Sequence, residues 1–138
     1  MMPDDLDRFV AAQRDAWPAA RAELEAGRKA THWMWFVFPQ IAGLGTSATA
    51  RFYAIADLAE ARAYLAHPVL GPRLREATAA MLRHAGTPPE TILGAIDALK
   101  LRSSMTLFEA AADDPAPFAR CLDAFYGSVR DPETLARL

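Results

Sequence analysis

The chain has 138 residues, 52% of them hydrophobic and 23% charged, with a formal net charge of −2 and one cysteine. For its 15.1 kDa, surface scaling gives a folded area of about 7,000 Å² against about 22,000 Å² unfolded, enough burial for one domain, 1–138, with a core of its own. These figures exclude a disordered segment and a disulfide scaffold, and the near-neutral balance gives no electrostatic footprint for duplex nucleic acid. No apolar run reaches 18 residues, and the start MMPDDLDRF lacks the basic-then-apolar order of a signal peptide. The expectation is a cytoplasmic protein with no membrane partner.

Helix signals dominate in chain order. Leu6, Phe9, Val10, Gln13 and Trp17 recur at three- and four-residue spacing, which predicts an amphipathic helix over 4–16. Pro18 then kinks that helix or opens the next, which ends at Gly27. Asp57 to Glu60 form a capping box before Ala61, Tyr64 and Leu65. Pro68 stands near the first position of another helix, with Leu70, Leu74, Ala77 and Met81 as its stripe and Gly86 beyond its end. Thr87 to Glu90 cap a short helix closed by Gly94. Ser103 or Ser104 is placed to cap a helix over 105–112, Pro115 starts one over 116–126, and Asp131-Pro132-Glu133 opens a last short one. The predicted fold is all-α, a compact orthogonal bundle of about seven short helices.

One segment breaks the pattern. Residues 28–47, RKATHWMWFVFPQIAGLGTS, are rich in aromatics, and their periodicity suits strand and helix equally well. Trp33 and Trp35, with His32 and Lys29 beside them, are candidates to line a pocket for a planar base or sugar ring; the other reading is a core strand or helix turn. Gln40, Gly43, Gly45 and Ser47 precede a helical stretch, where glycine freedom and helix N–H groups suit a phosphate or carboxylate; the other reading is a loop with a Ser cap.

A second unusual segment is Asp97 to Phe108, DALKLRSSMTLF, in which charged and hydroxyl side chains alternate with apolar ones. Asp97, Lys100 and Ser104 are its candidate catalytic groups and Ser103 a candidate ligand contact; equally, Asp97 and Lys100 suit a surface ion pair at i,i+3. The composition adds a hint. Thirty residues are Ala, and 13 Arg stand against 2 Lys. Lys29 and Lys100 fall in the two unusual segments, as if a compact ammonium were wanted there, with chance the rival explanation. Three scattered histidines and no C-x-x-C or H-E-x-x-H string predict no metal site, and no cofactor motif is present.

Several strings carry a resemblance: Gly27-Arg28-Lys29, His32-Trp33-Met34-Trp35-Phe36, Phe38-Pro39-Gln40, Gly43-Leu44-Gly45, His67-Pro68, and KLRSSMTLF from Lys100 to Phe108. Together they resemble the domain-of-unknown-function 1810 family over about residues 6–138. The resemblance implies a compact, mainly helical domain. Members are sometimes labelled calpastatin, but calpain inhibition uses long disordered repeats, unlike this chain. Size, helical content and the aromatic, His and Lys grouping are also similar, at fold level, to the NADAR family of small helical proteins that cleave N-glycosidic bonds in ADP-ribose derivatives. NADAR members show a Glu-His pair that does not align here, since Thr31 precedes His32. Two functions are therefore expected: an enzyme acting on a phosphorylated nucleoside or ADP-ribose-like ligand by N-glycosidic cleavage, or a non-catalytic module that binds a small molecule or a protein.

Overall fold

Nine helices make up the described part of the computed structural model, residues 6–138. They are α1 (Asp7–Ala26), α2 (Met34–Val37), α3 (Ala48–Phe52), α4 (Leu58–Ala66), α5 (Leu70–Leu82), α6 (Pro89–Leu93), α7 (Ala95–Ala111), α8 (Ala116–Tyr126) and α9 (Pro132–Leu135). The all-α expectation holds, with nine elements rather than about seven. The first two residues of the expected 4–16 helix lie outside the described residues.

Pro18 does not divide α1. It sits on the solvent side, as does Arg14, whose carbonyl loses its partner to the proline ring, so water can satisfy that carbonyl and the helix runs on for 20 residues. Its inner face buries Phe9, Gln13, Trp17, Ala20 and Leu24. Gly27, at φ 74°, ends the helix with the left-handed turn expected of it. His84 brings its Nε2 to the Leu24 and Glu25 carbonyls at 2.9 and 3.1 Å, and so caps the C-terminus of α1.

The largest departure concerns α7. Ser103 and Ser104 do not start it but lie mid-helix. The Thr106 hydroxyl donates back to the Arg102 carbonyl and the Ser103 hydroxyl to Asp131 at the start of α9, so neither is left unpaired inside the helix. Burial of Leu101, Met105, Leu107 and Phe108 then makes a continuous helix the better solution. α7 packs against α4, α6, α8 and α9, while α1 and α8 flank α5. A contiguous cluster of buried apolar side chains joins these helices, with Phe9, Trp33, Phe38, Tyr64, Phe108 and Phe118 among its largest members.

The aromatic segment is neither strand nor long helix. It forms the single turn α2, pinned by the buried amide of Gln13, which donates to the Phe36 carbonyl at 2.7 Å and lies 3.1 Å from the Tyr64 hydroxyl. Further on, an isolated parallel bridge pairs Ile41 with Ile55. The Ala42 amide donates to the Ile55 carbonyl and the Ile55 amide to the Gln40 carbonyl, both at 2.8 Å. Among the described residues no helix is long and apolar enough to cross a membrane.

Candidate functional site

The two unusual segments meet. The backbone amide of Lys29, in the loop after α1, donates to the Ile92 carbonyl at 2.8 Å, which lays that loop along the α6–α7 corner. From there the Lys29 ammonium reaches Asp97 Oδ2 at 3.0 Å. Lys100, one turn along α7, approaches the other carboxylate oxygen at 3.6 Å. Each ammonium also lies over an indole, Lys29 at 5.2 Å from the Trp33 ring centre and Lys100 at 5.0 Å from that of Trp35. Cation–π attraction of this kind contributes about 0.5–2 kcal/mol, according to desolvation. Two cations on one anion leave the cluster with a net charge of +1.

Beside the cluster runs an open groove of about 490 Å³, walled by Lys29, His32, Trp35, Ile96 and Asp97 and floored by Met34 and Leu93. Gly94 at φ 89° turns the chain sharply between α6 and α7, and α7 opens there without a side-chain cap. The first-turn N–H groups of a 17-residue helix thus lie at the groove wall, where they favour negative charge. His32 is exposed at the rim and Trp35 is half-buried.

A neighbouring carboxylate holds this loop in place. Glu23, in the last turn of α1, accepts from the Ala30 amide at 2.7 Å, the Thr31 amide at 2.9 Å and the Thr31 hydroxyl at 2.6 Å. It also accepts the Trp33 indole N–H at 2.9 Å. Desolvation pushes the Glu23 carboxyl up, but the hydrogen bonds from Thr31, Ala30 and Trp33 together outweigh it and hold its pKa at about 2. Nothing in the residue pattern signals this role, since Glu23 stands in an Ala- and Glu-rich stretch that reads as a solvated helix face.

Other candidates lie apart from the groove. Trp33 is 0% exposed, so its ring has no surface to offer a ligand and serves the core. Gly43, at φ 99°, faces Arg137, and Gly45 packs so closely on Ala50 that a Cβ would come within 2.5 Å of it. Ser47 caps α3 by accepting the Ala50 amide. Gln40 and Gly45 instead border, with Trp35, a recess of about 10 Å³. None of Gln40, Gly43, Gly45 and Ser47 is on the groove wall, because α3 and the Ile41–Ile55 bridge carry that loop to the other side of Trp35.

Ser103 is buried and donates to Asp131 Oδ2 at 2.8 Å, joining α7 to α9 rather than facing a ligand. Ser104 lies on the same helical stripe as Asp97 and Lys100, but it is fully buried and its Oγ has no hydrogen-bond partner. Among the described residues no group of three or more His, Cys, Asp or Glu side chains is arranged to hold a metal ion.

Comparison with known proteins agrees with the strings that carry the resemblance. The family model described as "Protein of unknown function (DUF1810)" matches residues 3–138. The chain belongs to the DUF1810 family. Among solved structures, the conserved hypothetical protein Rv1873 from Mycobacterium tuberculosis is 50% identical, with a TM-score of 0.97 over 99% of this chain and 98% of its own. A comparison with curated proteins finds no match. Neither the family description nor the name of the solved relative states an activity.

Proposed function

We propose that the groove at the start of α7 binds a phosphorylated nucleoside or ADP-ribose-like ligand. The observation that carries this reading is the convergence of Lys29 and Lys100 on Asp97 beside the half-buried ring of Trp35. A phosphate exchanges places with the carboxylate as partner of one ammonium and gains the uncapped N–H groups of α7, while the indole offers a face for a planar ring. Asp97 is the carboxylate closest to the bound sugar. In N-glycosidic cleavage it would stabilise positive charge at the anomeric carbon or orient the attacking water. Once phosphate takes one ammonium, one oxygen of Asp97 is free for that role.

A second reading is favoured by one feature: both oxygens of Asp97 face ammonium groups. If they stay paired, the site binds without catalysing. Isothermal titration and mass spectrometry separate the two. AMP and ADP-ribose are titrated into wild type and into Lys29→Ala and Lys100→Ala, and the incubated compounds are weighed for a released base. Saturable binding, weakened tenfold or more in both variants while circular dichroism shows each still folded, is expected. A released base identifies the enzyme, and intact compounds identify the binding module. Equal binding by all three proteins, or none by wild type, overturns the site.

A further inference from the structure

Trp35 borders more than the charged groove. It also borders a cleft of about 520 Å³ lined by Trp35, Phe36, Ala48, Thr49, Phe52 and Tyr53, with no charged side chain among them. Trp35 is the residue common to the two walls, so the two depressions adjoin at that side chain. Each depression is large enough for a nucleoside-sized group.

The cleft is aromatic and firmly supported. Phe52 remains 58% exposed, although it packs edge-on against Tyr53 with ring centres 4.8 Å apart at 84°. Tyr53 in turn packs on Phe36 at 5.3 Å. Beneath them the Arg8 guanidinium donates to the Phe52 and Ala54 carbonyls, each at 2.7 Å, and pairs with Glu60 at 3.3 Å. An exposed ring on a backbone fixed in this way is a preorganised stacking surface: little ordering remains to be done when a flat group lands on it.

Resting on the groove reading above, we infer that the ligand has two planar groups joined through phosphate. One ring lies in the charged groove, the linking phosphates pass Lys100 and the edge of Trp35, and the second, uncharged ring stacks against Phe52 in the aromatic cleft. The substrate class is thus dinucleotide-like rather than mononucleotide.

The test titrates AMP and diadenosine pyrophosphate into wild type, Phe52→Ala, Thr49→Trp and Lys29→Ala, with circular dichroism to check each fold. Thr49→Trp fills the cleft from exposed α3 and serves if Phe52→Ala disturbs packing. The pyrophosphate is expected to bind at least tenfold tighter than AMP to wild type. Both cleft variants should erase that advantage while changing AMP affinity less than threefold, and Lys29→Ala should weaken both compounds. Equal affinities in wild type, with Lys29→Ala still harmful, would refute the second subsite and leave the groove reading standing. A pyrophosphate advantage that survives both cleft variants also refutes it. No binding of either compound ends both readings.

Discussion

The indole N–H of Trp33 donates to Glu23 across 2.9 Å, tying a ring of the core to the last turn of α1. The same carboxylate gathers three donors from Ala30 and Thr31, so one side chain sets the course of the loop that delivers Lys29. Glu23→Ala should cost about 2–3 kcal/mol, since hydrogen bonds to a charged acceptor are lost and the indole N–H is left without its partner. Chemical denaturation measures this, and a loss under 0.5 kcal/mol contradicts the account.

The same bond set predicts an acid response. The Glu23 carboxyl titrates near 2 when folded against an ordinary value of 4.5. Its stabilising effect is therefore complete above the ordinary value and is lost as pH falls from about 4.5 towards 2. Wild type should lose stability across that window, and Glu23→Gln should lose less there. Parallel denaturation curves at pH 6 and pH 3 compare the two proteins.

Asp131 anchors the C-terminal turn. It accepts from Ser103, from the Thr134 hydroxyl at 2.6 Å and from the Glu133 amide, and Arg102 lies 3.5 Å away. Desolvation acts to raise its pKa, but the Thr134 and Ser103 hydrogen bonds and the Arg102 charge bring it below the usual carboxylate range. Asp131→Ala leaves two buried hydroxyls without their acceptor and should cost about 2–4 kcal/mol. Limited proteolysis should then cut within α9 before the remaining helices are attacked.

Ser104 supplies a prediction of opposite sign. Its buried hydroxyl has no partner, so the folded chain bears a desolvation cost that alanine would not. Ser104→Ala should raise stability by about 1 kcal/mol and leave the binding of AMP unaltered. A destabilised variant would show that the hydroxyl has a partner in solution.

Removing the shared carboxylate tests the charged cluster. Asp97→Asn leaves two ammonium groups facing a neutral amide at a partly buried spot, which should lower stability by about 1–3 kcal/mol. Raising salt should narrow the gap from wild type, because the lost term is electrostatic.

Much of the architecture was readable because capping and periodicity are local. Asp57 does accept the Glu60 amide, Gly27 does end α1, and Asp131 does open α9. Pro18 and the Ser103-Ser104 pair misled for a shared reason: each has a breaker's chemistry, and each was overruled by where its backbone or hydroxyl ends up. The composition drew attention to Lys29 and Lys100, and the structure sets both on Asp97. Glu23 and the turn at Gly94 were not legible, because the first acts on residues seven to ten positions away through a loop and the second read only as the end of α6. The glycine loop, read as an anion site, packs against Ala50 and Arg137 and lies off the groove that holds the two lysines.

The Ile41–Ile55 bridge has an evolutionary consequence. Two backbone hydrogen bonds form a neck for the appendage between residues 42 and 55, whose far end the Arg8 guanidinium pins to α1 at the Phe52 and Ala54 carbonyls. Insertions or deletions inside such an appendage change its closure entropy only slightly and leave the neck as it was. Selection can therefore retailor the stretch 43–49 from one lineage to the next, while the Phe52 wall, held by Arg8, and the lysine wall, fastened to α1 and α7, stay fixed.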